Sequence, residues 1–161
     1  MSRLRKAFAL SASDCLFIAQ AWKWLGLVEI GLTCLPLGKL VRIIHPQRPE
    51  NLHRDGKREL PHAVAERMAF CVELAARMYL LDATCLKKAM ALCALLTRRG
   101  FDAQVMIGAA RATEGRLDAH AWVECQGKVL LGEAQAGRYT VLCGLPGSRL
   151  EAAPPEPQAI R

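Results

Sequence analysis

Aromatic residues are scarce in this 161-residue chain, 6% of the total, so its core must be built mostly from Leu, Ala, Val and Met. Long uncharged hydrophobic runs are missing too. The most apolar stretch, residues 15–37, carries Gln20, Lys23 and Glu29 in its interior and meets Pro36 near its end. A charge at mid-membrane costs about 2.5–3.5 kcal/mol even on the most lenient insertion scale. The stretch therefore reads as a buried or partner-facing helix, and a membrane is not among the expected partners. Residues 7–10 follow Arg3, Arg5 and Lys6 but are too few for the core of a secretory signal. There is no CxxC among the seven cysteines (15, 34, 71, 85, 93, 125 and 143), and no Cys/His pair has zinc-finger spacing. The odd number and irregular intervals argue against a disulfide framework and a structural zinc. Most of these thiols are expected to be small buried hydrophobes in a reducing compartment, which makes the cytoplasm the expected location.

Acidic residues are also in short supply. Asp and Glu total 15 against 22 Lys and Arg, a formal charge of +7. Such an excess suits an anionic partner: nucleic acid, a membrane surface or an acidic peptide. The cations are scattered, however, with no long run and no interleaved aromatics, so nucleic acid is set aside. A hydrophobic share of 52% and a charged share of 23% describe a globular chain. Its length fits one domain with an appended helical segment, burying roughly 70% of the unfolded surface.

Three helices and a small sheet can be read along the chain. Ser13 or Asp14 can cap a helix running to about Leu32, with Pro36 stopping it, and a basic piece over 39–44 follows. Residues 45–60, with two prolines and a glycine, read as a loop. After Pro61 a second helix over about 62–80 places Val64, Met68, Cys71, Ala75 and Met78 on one face. Thr84 is a good N-cap for a third helix over 85–99, and Gly100 a good stop. That helix is apolar almost all round and belongs at the centre of the fold. Short runs at 103–108, 120–125, 128–131 and 139–142 then suggest an antiparallel sheet packed on it. The expected fold class is α+β. The expected divisions are an N-terminal helical segment and loop (1–60), a core (61–150) and a proline-rich disordered tail (151–161).

Chemistry centres on Cys85 and His120. Cys85 falls in the first turn of the third helix, where free backbone N–H groups and the dipole favour a thiolate. Its bland alternative is a buried thiol like the other six. His120 begins a strand between Ala119 and Ala121, whose small side chains leave room around the ring. The bland alternative there is a surface or satisfied core histidine. If Gln126-Gly127 form a two-residue turn, Cys125 opposes Lys128 and, in an unbroken ladder, His120 faces Glu133. A thiolate, an imidazole and an orienting carboxylate make a cysteine acyl-transfer site.

These residues carry a resemblance. Ala83-Thr84-Cys85-Leu86, Ala89, Leu92, the run from Leu95 through Arg98-Arg99-Gly100, Ile107-Gly108, and Ala119-His120-Ala121-Trp122-Val123-Glu124 with Gly127 resemble the leader peptidases of lasso-peptide biosynthesis. Those are transglutaminase-like cysteine proteases, similar to the C-terminal domain of the microcin-processing protein. The motifs span about 83–142. The resemblance implies a papain- or transglutaminase-like fold with a Cys-His-Asp triad: Cys85 as nucleophile, His120 as general acid/base, and Glu133 near the place where the family usually shows Asp. Asp118 is an alternative orienter. The family cuts a ribosomal precursor between leader and core, and a separate macrolactam synthetase closes the ring. Residues 1–80 show almost no strand pattern, so a winged-helix recognition domain is not expected within the chain. A small separate leader-recognition protein is the implied partner, and the helix at 15–35 is either a docking surface or a cap on the core. The family's reaction has been linked to ATP, but no nucleotide motif is evident: Thr33 and Leu40 break any P-loop around Gly38-Lys39. No cofactor or metal is assigned. Two rivals stay open: an acyltransferase with the same triad, and a non-catalytic peptide-binding module.

Overall fold

The computed structural model describes residues 10–44, 61–111, 116–132 and 138–145. Helix α1 spans Ala12–Cys34, α2 Leu37–Ile44, α3 His62–Arg77 and α4 Cys85–Arg98. Strands β1 (Ala103–Arg111), β2 (Leu117–Cys125), β3 (Lys128–Leu131) and β4 (Thr140–Leu145) follow. They form one antiparallel sheet in the order β3-β2-β1-β4. Helices followed by such a sheet are the α+β arrangement expected above.

Helix α4 is the axis of the core. Its residues 89–96 are all buried, among them Met90, Leu92, Leu95 and Leu96. Each such side chain contributes about 1.5–3 kcal/mol when fully withdrawn from water. Helices α1 and α3 and strands β1 and β2 all pack on α4. Thr84 caps α4 by accepting the Lys87 N–H, and Gly100 ends it at φ 86°, which an L side chain adopts only with strain.

Several boundaries differ from the sequence reading. β1 runs on to Arg111 and β2 begins at Leu117, so His120 lies inside a strand rather than at its start, and β4 covers Thr140–Leu145. The N-cap of α1 is Ser11, not Ser13 or Asp14. Ser11 Oγ accepts the Asp14 N–H at 3.3 Å, and the Asp14 carboxylate accepts the Ser11 N–H at 2.8 Å, a reciprocal capping box. Asp14 is thereby held inside the first turn. It is buried and takes two bonds from the Arg67 guanidinium of α3, at 2.6 and 2.7 Å. The basic piece after Pro36 is itself a helix, α2, because Leu40, Val41 and Ile44 form an inward face. Helix α3 stops at Arg77, short of residue 80, and Leu80 stands fully exposed. The expected loop at 45–60 and tail at 151–161 lie outside the described residues.

Candidate active site

Cys85 is the first residue of α4 and is half-buried. Thr84 serves the Lys87 N–H, while the N–H groups at the very start of a helix have no carbonyl partner within it. Around this end, Lys87 donates to the Asp82 carbonyl at 3.0 Å and pairs with Glu29 of α1 at 2.5 Å. Lys88 pairs with Glu73 of α3 at 3.2 Å. The helix start is thus fixed by α1 and α3 together.

His120 lies on β2, opposite Gly108 of β1. Its ring stacks on Tyr139 with centroids 5.1 Å apart and planes 27° apart, and on Trp122 at 6.3 Å. The Tyr139 hydroxyl donates to the Asp118 carboxylate at 2.7 Å. That bond holds the phenol in its neutral form, so the Tyr139 pKa lies above the usual phenol value. His120 in turn feels the charges of Asp118 and Lys88.

The electrostatics of His120 follow from burial. Desolvation lowers its pKa, the Asp118 carboxylate raises it and Lys88 lowers it, with a net downward shift. At neutral pH the ring is accordingly the uncharged form that can accept a proton. Its Nε2 is buried and has no hydrogen-bond partner among the described residues. Glu29 Oε2 also lacks a hydrogen bond, but the Lys87 ammonium neutralises it. A buried, unsatisfied imidazole nitrogen is costly unless something else engages it.

The register that was to bring Glu133 opposite His120 is not kept. The turn itself is as expected: Gln126 and Gly127 have φ of 52° and 76°, and Cys125 pairs with Lys128 and Glu124 with Val129. The ladder then slips by one, so that Val123 pairs with Leu131 and Leu130 is the extra residue. β3 ends there, and Glu133 lies outside the described residues. Gly132, just after β3, lies directly beside the imidazole. A Cβ added to Gly132 would come within 2.8 Å of His120 Nε2, and its φ of 81° is strained for any other residue.

Sequence reasoning missed Tyr139 and Gly132. Gly132 carried a signal, a glycine at the end of a strand. Tyr139 carried none, since its meeting with His120 depends on β4 joining β1 on the side away from β3. Asp118 was considered only as a direct orienter of His120; its hydrogen bond goes to Tyr139 instead. Among the described residues no cluster of three or more His, Cys, Asp or Glu is placed to hold a metal ion.

A family model described as the transglutaminase-like superfamily matches residues 31–144, most of the chain. The chain belongs to the transglutaminase-like superfamily. Comparison with curated proteins and with solved structures gives no significant match. The family match extends from the end of α1 to β4 and so contains Cys85, His120 and Tyr139. A transglutaminase-like domain is a fold of the cysteine-protease and acyltransferase type, in which a thiol and an imidazole act on an acyl group. Cys85 and His120, the thiol and imidazole of this chain singled out above, both lie within the matched span.

Proposed function

We propose that this transglutaminase-like protein is a cysteine endopeptidase that removes the leader segment from a ribosomal lasso-peptide precursor in the cytoplasm. One observation supports the reading: His120 Nε2 is buried with no hydrogen-bond partner among the described residues, in a transglutaminase-like chain that also carries a half-buried thiol at a helix start. His120 takes the thiol proton, and the Cys85 sulfur attacks the scissile carbonyl. The backbone N–H of Cys85 helps hold the oxyanion. The imidazolium then gives its proton to the leaving amine, and water, deprotonated by His120, releases the acyl group. Glu133 is the proposed orienter, since it is the next residue after Gly132, which lies against Nε2. Substrate delivery falls to a small separate leader-recognition protein, and ring closure to a macrolactam synthetase. No residue of this chain is assigned to ATP.

Incubation with the precursor peptide, with and without the recognition protein, followed by product masses tests this. The expected result is two fragments with free termini and their loss in Cys85→Ala. A cross-linked product in place of two free termini would assign the site to acyl transfer. An unaltered precursor under every condition would reject the enzyme reading.

A further inference from the structure

Helix α1 has two faces of different character. Ala21, Leu25 and Val28 point into the core and are fully buried. The opposite face carries Leu16, Lys23, Leu27, Ile30 and Cys34, all exposed. Leu16 and Ile30 are each 63% exposed and Leu27 43%. The spacings of seven, four, three and four residues keep these five side chains in one stripe. Among the described residues α1 is the one helix long and apolar enough to cross a membrane, by length and composition. Its inward face is committed to α3 and α4, so it cannot leave the core to span a bilayer without unfolding the domain.

Charge decides what fits the outer stripe. The two acids of α1 are both neutralised within the molecule, Asp14 by Arg67 and Glu29 by Lys87. The remaining charged groups of α1 and α2 are Lys23, Lys39 and Arg42, all exposed and all cationic. Lys23 sits in the middle of the stripe with no acid paired to it among the described residues. A second copy of the chain would set cation against cation there. No α1 side chain lines either of two cavities among the described residues, one between α2, α4, β1 and β4, the other between α3 and β3. A protein partner with tight, specific binding ordinarily relies on a pocketed anchor. A fluid surface needs no such pocket: aliphatic side chains enter the acyl boundary while a lysine reaches back to anionic headgroups.

We infer that the outer face of α1 is a docking surface for an anionic lipid bilayer, with Leu16, Leu27 and Ile30 inserted and Lys23 at the headgroups. The inference does not depend on the proposed peptidase activity.

The full-length protein is sedimented with phosphatidylcholine vesicles that contain or lack phosphatidylglycerol. It should bind the anionic vesicles, and far less the neutral ones, with binding weakened by salt. Removing one cation near such a surface lowers partitioning about fivefold, so Lys23→Gln should show that loss. Leu27→Ser/Ile30→Ser should lose about tenfold or more, with an unchanged melting temperature because both side chains are exposed. Lys128→Gln, at the far edge of the sheet, should stay close to the parent protein. Absence of vesicle binding by the folded parent protein overturns the inference. So does binding equal in the parent and the α1 variants, which would place the contact elsewhere. A stripe-dependent dimer in light scattering, without vesicle binding, would make this face a protein interface and also overturn it.

Discussion

Helices α1 and α4 are both rich in Leu and Ala, yet the fold treats them differently. α4 is enclosed on every side over residues 89–96, whereas α1 is enclosed on one face and open on the other. The difference comes from neighbours. Two helices and the sheet all pack on α4, while nothing among the described residues covers the outer stripe of α1. Apolar composition therefore states how much surface a helix can bury, but the packing partners set how much it does bury. The buried helix also carries the candidate chemistry at its half-buried N-terminal end. The packed residues behind Cys85 fix the position of a half-buried thiol.

The contrast can be broken in order of expected effect. Cys85→Ala and His120→Ala should each lower turnover by ~10³-fold or more, since a nucleophile or base cannot be partly replaced. Their thermal unfolding should stay near that of the parent protein, and retained cleavage by either variant would reject the assignment. Leu92→Ala, in the middle of α4, should cost about 2–5 kcal/mol in denaturant unfolding. The corresponding change on the open face of α1, Leu27→Ala, should stay within about 0.5 kcal/mol. Equal costs would mean that something covers α1 in solution. Glu133→Ala should slow turnover less than loss of Cys85 or His120, and a silent variant would assign the orienting role elsewhere.

Smaller effects concern pH. Because the folded protein disfavours protonated His120, the acid limb of kcat/KM should lie below pH 6.5. Asp118→Asn should move that limb further down, because the carboxylate raises the His120 pKa, and Lys88→Gln should move it up. Unmoved limbs would show that another group controls the profile. The linkage has a definite sign. Below pH 6.5 the unfolded chain binds the His120 proton more readily than the folded one, so stability falls as pH drops through that range. Asp14 acts in the same direction at lower pH. The Arg67 guanidinium and Ser11 hold its pKa well below the usual carboxylate value, and its stabilisation disappears as pH falls below about 3.8. Tyr139→Phe keeps the ring stacked on His120 and removes only the bond to Asp118. It should reduce kcat by less than Tyr139→Ala, which loses the stack as well.

Much of the fold was legible in local signals. Thr84, Cys85 and Gly100 mark α4 because capping chemistry lies within one turn of the residues it serves. Gln126-Gly127 marks the turn because two positive φ values are needed there. Ser11 was missed as a cap although Asp14, three residues on, completes its capping box. The identities of Asp14 and Arg67 could not reveal their pairing across 53 positions. The bulge at Leu130 was invisible as well, since no residue type there demands an extra step in the ladder.

The chain's own residue order determined the elements, their caps, the turn between β2 and β3, and the thiol at a helix start. These depend on contacts within a few residues, where covalent connection keeps the entropic cost of meeting small. Tertiary structure alone decided which ring lies on His120, why Gly132 must be glycine, and which face of α1 stays open. Those outcomes depend on segments far apart in the chain, brought together by a shared core whose packing no local pattern encodes.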